Sequence, residues 1–241
     1  FALATINEAI SLRQSGVSKP LLVLQGFSSI DELKALADFD IQPIIHRSEQ
    51  IALLEQCPDL VLDVWLKIDT GMHRLGVPVD IAESSCQRLQ ACESVRQIRL
   101  MSHFANADKP DHAMNSEQLA AFADMSEKIG QCEASMANSA AVIAIPNSHL
   151  QWVRPGIMLY GSSPLKNKTA DELVLKPVMQ FESKLIAIQT LKQGDLIGYG
   201  STWRCPEDMT TGIIAAGYAD VYPRHAESGT PIWINNKLCP L

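Results

Sequence analysis

The sequence predicts an α/β chain: an incomplete (β/α)8 TIM barrel over residues 1–170, followed by a truncated, mostly β domain over residues 171–241. Two observations carry this. As far as about Gly161, short apolar runs alternate with amphipathic helical stretches, the rhythm of repeated βα units on a parallel sheet. After about Thr169 the pattern changes to period-2 runs separated by turn residues, without a long helix. In the first part the expected strands are Phe1–Thr5, Pro20–Gln25, Ile41–His46, Val61–Lys67, Val95–His103, Ala134–Ala137 and Gln151–Val153. Ser29 and Glu32 have capping-box spacing and open a helix over Ile30–Ala37, and Asn115 with Gln118 opens a second that runs to Ile129. A barrel of this kind needs eight units and about 250 residues; six or seven units are visible. In the second part the expected strands are Val178–Thr190, Gly194–Tyr199, Gly212–Tyr218 and Pro231–Leu238, with Asn235-Asn236 at a tight hairpin turn because Asn tolerates positive φ. The first residues carry neither Met nor a charged leader, and Pro240-Leu241 stops mid-pattern, so truncation at both ends is expected.

Composition narrows the function classes. The net charge is −7 and the basic residues are scattered, so no stripe tracks a phosphate backbone and nucleic acid is not expected as a partner. The densest apolar run, Leu60–Leu66, contains Asp63 and is far short of the roughly 20 residues of a membrane span. Cys57, Cys86, Cys92, Cys132, Cys205 and Cys239 lack C-x-x-C spacing, which points to free thiols in a reducing cytoplasm rather than to zinc or disulfides.

In a parallel barrel the chemistry sits where strands end and loops begin. Four places stand out. Lys67-Ile68-Asp69-Thr70-Gly71-Met72-His73-Arg74 ends an apolar strand in a lysine and an aspartate, then turns into an arginine; a solvated strand end is the plain alternative. Ser102-His103-Phe104-Ala105-Asn106-Ala107-Asp108 puts an imidazole at another strand end, where a lone histidine is more often structural. Asn138-Ser139-Ala140-Ala141 feeds a helix start, which suits either a phosphate or simple capping. Arg154-Pro155-Gly156-Ile157 pairs an arginine with a glycine, beside which a ligand could approach the backbone closely. Together these describe a site for an anionic, aromatic, phosphate-bearing ligand.

The stretches K-I-D-T-G-M-H-R-L-G-V, S-H-F-A-N-A-D, N-S-A-A, R-P-G-I-M-L-Y-G, G-Y-G-S-T-W and G-Y-A-D-V-Y-P-R occur in order, span nearly the whole chain, and resemble the signature blocks of bacterial alanine racemases, fold-type III enzymes dependent on pyridoxal 5′-phosphate. The resemblance implies racemisation of alanine, supplying D-alanine for peptidoglycan, in a cytoplasmic homodimer. It implies that Arg74 meets the cofactor's phenolic oxygen and the substrate carboxylate, that His103 lies against the ring and that Arg154 faces the ring nitrogen. Asn138, Ser139, Gly156 and Ile157 would surround the cofactor and its phosphate. Lys67, which spacing alone would make the covalent cofactor ligand, becomes a carbamylated lysine that orients Arg74. Tyr199 becomes the acid/base group reaching into the partner's barrel, Tyr218 a pocket residue from the partner, and Asp108 a residue near the substrate entrance; packing in a β core is the plain reading of both tyrosines. The family's cofactor-bearing lysine lies in a K-A-N-A-Y-G-H-G-like block that this sequence does not contain, so the chain by itself is expected to be inactive. Val221 stands where the family usually has Gly, which puts the backbone after Tyr218 in question. A non-catalytic cofactor-binding barrel protein, a related decarboxylase and a broad-specificity racemase are the alternatives; the segment after Thr169 argues against the first and the S-H-F-A-N-A-D and R-P-G-I-M-L-Y-G blocks against the second.

Overall fold

The computed structural model describes residues 1–220 and 222–241; Val221 lies outside the described residues. The chain divides into two compact units, Phe1–Val178 and Met179–Leu241.

The first unit is an incomplete (β/α) barrel. Its strands are β1 (Ala2–Leu3), β2 (Leu21–Val23), β3 (Ile41–Ile45), β4 (Leu62–Asp69), β5 (Val77–Pro78), β6 (Val95–Met101), β7 (Ala134–Asn138) and β8 (Trp152–Arg154). Seven of them form one parallel order, β1-β2-β3-β4-β6-β7-β8, while β5 pairs only with the end of β4. The intervening helices are α1 (Ile6–Gln14), α2 (Ile30–Asp38), α3 (Ser48–Glu55), α4 (Val79–Ala91), α5 (Ala113–Ile129) and α6 (Ser139–Ala144).

Strand alternation sorts side chains between two environments. Ile45, Val64, Leu66, Ile68 and Leu100 point outward into the main core with Leu33, Leu36, Ile51 and Leu54 of the helices, whereas Leu22, Ile44, Trp65 and Met101 form a separate inner cluster. Lys67 has the parity of Trp65 and therefore belongs to the inner face. Below the strand ends, Arg99 lies 5.6 Å from the Trp65 ring and 5.8 Å from that of Trp152, and pairs with Asp63 and Glu133, so the charge left inside is both stacked and compensated.

Local capping departs from expectation in two places. Ser29 Oγ accepts from Glu32 N–H, but Glu32 reaches back to Ser28 rather than to Ser29. The helix expected to open at Asn115 begins at Ala113 with His112 as its cap; Asn115 is buried inside it and donates to the carbonyls of Asn106, Lys109 and Pro110.

The second unit is mostly β: β9 (Leu185–Leu191) pairs antiparallel with β12 (Met209–Ile214), β10 (Leu196–Ile197) with β11 (Trp203–Arg204), and β13 (Pro231–Ile234) with β14 (Lys237–Pro240). The last pair turns through Asn235 and Asn236 at φ 48° and 63°, as expected for a two-residue hairpin. Val178–Lys184 stays outside β9, because alternation in sequence does not make a strand without a ladder to join.

Candidate active site

Arg154 organises the carboxyl end of the barrel. Its guanidinium donates to Ser135 Oγ, to Ser102 O at 2.6 Å and to His103 Nδ1 at 3.2 Å. A guanidinium has no acceptor, so Nδ1 of His103 must accept and the ring proton sits on Nε2. Withdrawal from solvent lowers Arg154 to about 10, which leaves it charged at neutral pH. Burial, then the charges of Arg154, Lys67 and Arg74, drive His103 down to about 3, so it is a neutral imidazole.

Lys67 is buried on the inner face two residues before Asp69, with its pKa lowered to about 8 by burial and by Arg74 and Arg154, against the opposing pull of Asp69. Arg74 itself is exposed, on the loop after β4. That loop is drawn back onto Asp69, whose Oδ1 accepts from the N–H groups of Gly71 and His73 at 3.0 Å each, while Oδ2 meets His73 Nδ1 at 3.1 Å. Burial pushes the Asp69 carboxyl up, but these donors outweigh it and hold the group below its ordinary range.

The opposite wall is built by α6 and the turn after β8. Asn138 Oδ1 caps α6 by accepting from Ala141 N–H, and Ser139 Oγ accepts from Gly156 N–H at 2.7 Å, tying the two segments together. A Cβ placed on Gly156 would meet no protein atom within 4 Å, so the space beside it is open. A cavity of about 340 Å³ lies here, lined by His103, Asp108, Asn138, Ser139, Arg154, Gly156 and Ile157 among others. Its size is that of a small-ligand pocket. Asp108 stands at the rim and pairs with Lys166 at 3.5 Å.

The structure thus brings together Lys67, Arg74, His103, Asp108, Asn138, Ser139, Arg154, Gly156 and Ile157 in one unit. Tyr199 and Tyr218 lie in the other, both exposed, each in a short 3-10 turn. Two residues of this region went unremarked in the sequence. His46 follows β3 directly, one step beyond the Ile45–Leu66 pair and close enough to Lys67 to feel its charge, and its Nε2 meets Gln25 O at 3.0 Å. Ser135 is fully buried beneath Arg154. Inward parity with Ile44 flags the first, and the pairing of Ser135 with Met101 of the inner cluster places the second on the same face.

Comparison with known proteins places these features. Residues 1–164 match the family model for the alanine racemase N-terminal domain, and residues 178–241 that for its C-terminal domain. The alanine racemase of Vibrio parahaemolyticus is 44% identical over the whole chain, which spans 68% of that relative's length. Among solved structures, the biosynthetic alanine racemase of Pseudomonas aeruginosa aligns with all of the chain and 67% of its own at a TM-score of 0.92 and 38% identity. An alanine racemase of Bartonella henselae, solved with covalently bound pyridoxal phosphate, aligns with 99% of the chain and 66% of its own at a TM-score of 0.82 and 26% identity.

Proposed function

The chain belongs to the alanine racemase family, and from that premise we propose that the complete protein interconverts L- and D-alanine with pyridoxal 5′-phosphate at the strand ends described above. The observation that carries this reading is the Arg154–His103 pair on one side of a cavity whose other wall is Ser139 and Gly156. The fit is chemical as well as spatial. Arg74 and Arg154 give the site a surplus of positive charge for a phosphate and a carboxylate, and the open space beside Gly156 admits the group.

The cofactor, when bound, makes the α-proton of an amino acid acidic by delocalising the charge left behind. The protein's share is to orient and to move protons. Asn138, Ser139, Gly156 and Ile157 would hold the phosphate of the cofactor. Arg154, a cation at neutral pH, would meet its ring nitrogen and disfavour a proton there. His103 would contribute a neutral imidazole beside the ring. Arg74 would hold the phenolic oxygen and the substrate carboxylate. Tyr199 of a second copy supplies the proton donor and acceptor on one face, and Tyr218 lines the same pocket, so the working unit is a homodimer with shared sites. The opposite face belongs to a lysine in a block outside this sequence. The D-alanine formed supplies peptidoglycan from the cytoplasm; among the described residues no helix is long and apolar enough to cross a membrane.

Two outcomes test this. The complete protein with added pyridoxal phosphate is expected to form D-alanine in a coupled assay, whereas the 241-residue chain alone shows none above background; turnover by the chain alone would mean that another lysine serves, and silence from the complete protein would end the reading. Lys67, lowered to about 8, offers a substantial neutral amine near that pH, and a neutral amine attacks carbon dioxide with loss of one proton to give an N-carboxylate. Carbon-13 NMR in labelled bicarbonate is expected to show a carbamate resonance that Lys67→Arg abolishes. A spectrum identical to the variant's would remove Lys67 from that role.

A further inference from the structure

The buried amide of Gln118 belongs to neither wall of the cavity, yet it reaches two of the loops that carry the site. It stands on α5, 1% exposed. Its Oε1 accepts from Ala105 N–H at 3.0 Å, while its Nε2 donates to His103 O at 3.0 Å and to Thr70 Oγ1 at 3.4 Å. The chain of donors beyond it has one direction. Ser102 Oγ donates to Ile68 O at 2.9 Å, so its contact with Thr70 Oγ1 at 2.8 Å requires Thr70 to be the donor there, and Thr70 can then only accept from Gln118. Ser102 O in turn accepts from Arg154. The helix also presses close: a Cβ on Gly71 would lie 2.9 Å from Met114 Cε and 3.6 Å from Gln118 Cγ. One turn earlier Asn115 fastens the same His103–Pro110 loop through three carbonyls.

We infer that Gln118 is a positioning residue of this site, its amide N–H groups setting the height of His103 against the cavity and locking the loop after β4, which carries Arg74, to the loop after β6. The inference rests on the reading of the cavity as a pyridoxal phosphate site only for its consequence; the geometry it asserts belongs to the unloaded protein. Three bonds converge on one amide, and each end of that amide has a distinct job, so shape alone does not replace it. Gln118→Met keeps the volume and removes both roles. Gln118→Glu keeps the acceptor for Ala105 but, once ionised, has no proton for His103 O and competes for the hydrogen that Thr70 gives Ser102. Burial raises a carboxyl pKa, so the glutamate is protonated at the lower end of the working range and can donate there. The titratable and charged groups on the two loops are Asp69, His73 and Arg74, and His103, Asp108, Lys109, Asp111 and His112; Glu117 flanks Gln118 on its own helix. All are present in the parent protein, whose pH profile serves as the baseline.

The test uses the complete protein with Gln118→Met, Gln118→Glu and Thr70→Val. Nitrogen-15 NMR of the His103 ring is read first, without cofactor, followed by titration with pyridoxal phosphate and by racemisation between about pH 5.5 and 8. Gln118→Met is expected to shift the His103 resonances and to weaken cofactor binding and turnover about tenfold to hundredfold at every pH, the loss that displacement of a site group by about 1 Å entails. Gln118→Glu should come nearest the parent at the acid end, where its single O–H can restore the bond to His103 O, and approach the Met variant at the alkaline end, and Thr70→Val should fall between. Parent-like His103 signals and binding in both Gln118 variants would overturn the inference. If Gln118→Met does not fold, the pH-dependent loss in Gln118→Glu decides alone: present, the inference stands; absent, it falls. Failure of the parent to bind pyridoxal phosphate would sink the reading of the cavity instead, and the His103 spectra of the unloaded proteins would still decide the role of Gln118.

Discussion

Replacement of Tyr199 by Phe in the complete protein, working as the proposed homodimer, is expected to slow racemisation by about 10² to 10⁴, the usual cost of losing a positioned acid/base group. The backbone supports a role beyond packing. Tyr199 is 91% exposed and sits between Gly198 at φ 74° and Gly200 at φ 75°, with Ser201 also at positive φ, 51°. The two glycines take positive φ without strain, but Ser201 is in a conformation that non-glycine residues rarely adopt and that recurs at functional sites, and this turn presents an aromatic ring that its own unit does not bury. A phenol used as a base near neutrality needs positive charge beside it, which Arg74 and Arg154 of a second copy would provide. The loss should be unequal between enantiomers when α-deuterium exchange is followed. Exchange from the face served by the lysine persists, and exchange from the other collapses. Small and equal losses would reduce Tyr199 to a pocket wall. Cofactor binding and dimerisation should be unchanged, which separates lost chemistry from lost structure.

The second large effect is expected at Arg154. Among the described residues no carboxylate pairs with its guanidinium, which is held by a hydroxyl, backbone carbonyls and an imidazole instead. A partly buried cation without a counter-charge is costly by itself and is compensated when an anionic ligand arrives. Arg154→Met should therefore weaken pyridoxal phosphate binding about tenfold to hundredfold, the worth of charge-assisted hydrogen bonds of about 1.5–3 kcal/mol. His103 gives an independent readout. Folded, it resists protonation down to about 3, whereas the unfolded chain takes up a proton near 6.5. Between those values the unfolded state binds more protons, so this group makes stability fall as pH drops through that window, and its contribution is neutral above it. Burial is the larger cause and Arg154 the next, so Arg154→Met should shrink the acid loss without abolishing it and should let His103 titrate at a higher pH by NMR. An unchanged His103 titration would mean that the guanidinium does not govern that imidazole.

How much of this was legible in the sequence depended on how local the signal was. Strand ends carrying Lys67, His103 and Arg154 could be found because alternation and helix starts place them without knowledge of the fold, and Asn235-Asn236 announced its turn through φ alone. Asn115 was misread as a cap because its spacing to Gln118 mimics a helix start, while its true partners are carbonyls of the preceding loop. Gln118 could not be recognised, since its partners His103 and Thr70 lie 15 and 48 residues away and a buried amide has no local pattern. The expected strand from Val178 began too early for a related reason: pairing is decided by the partner, and β12 offers none before Leu185.

The short parallel bridge between β4 and β5 has a consequence for how this region can vary. Ile68 pairs with Val77 and Asp69 with Pro78, and a Cβ at Gly76, where φ is 140°, would lie 2.7 Å from Asp69 N. Connecting loops ordinarily absorb inserted residues at little cost. Here both ends of the loop are clamped in register, so adding or deleting a single residue between Asp69 and Val77 must either unpair the bridge or turn Arg74 away from the barrel axis. This segment should thus tolerate changes of side chain at its tip but none of length, and natural or engineered diversity in it is confined to substitution.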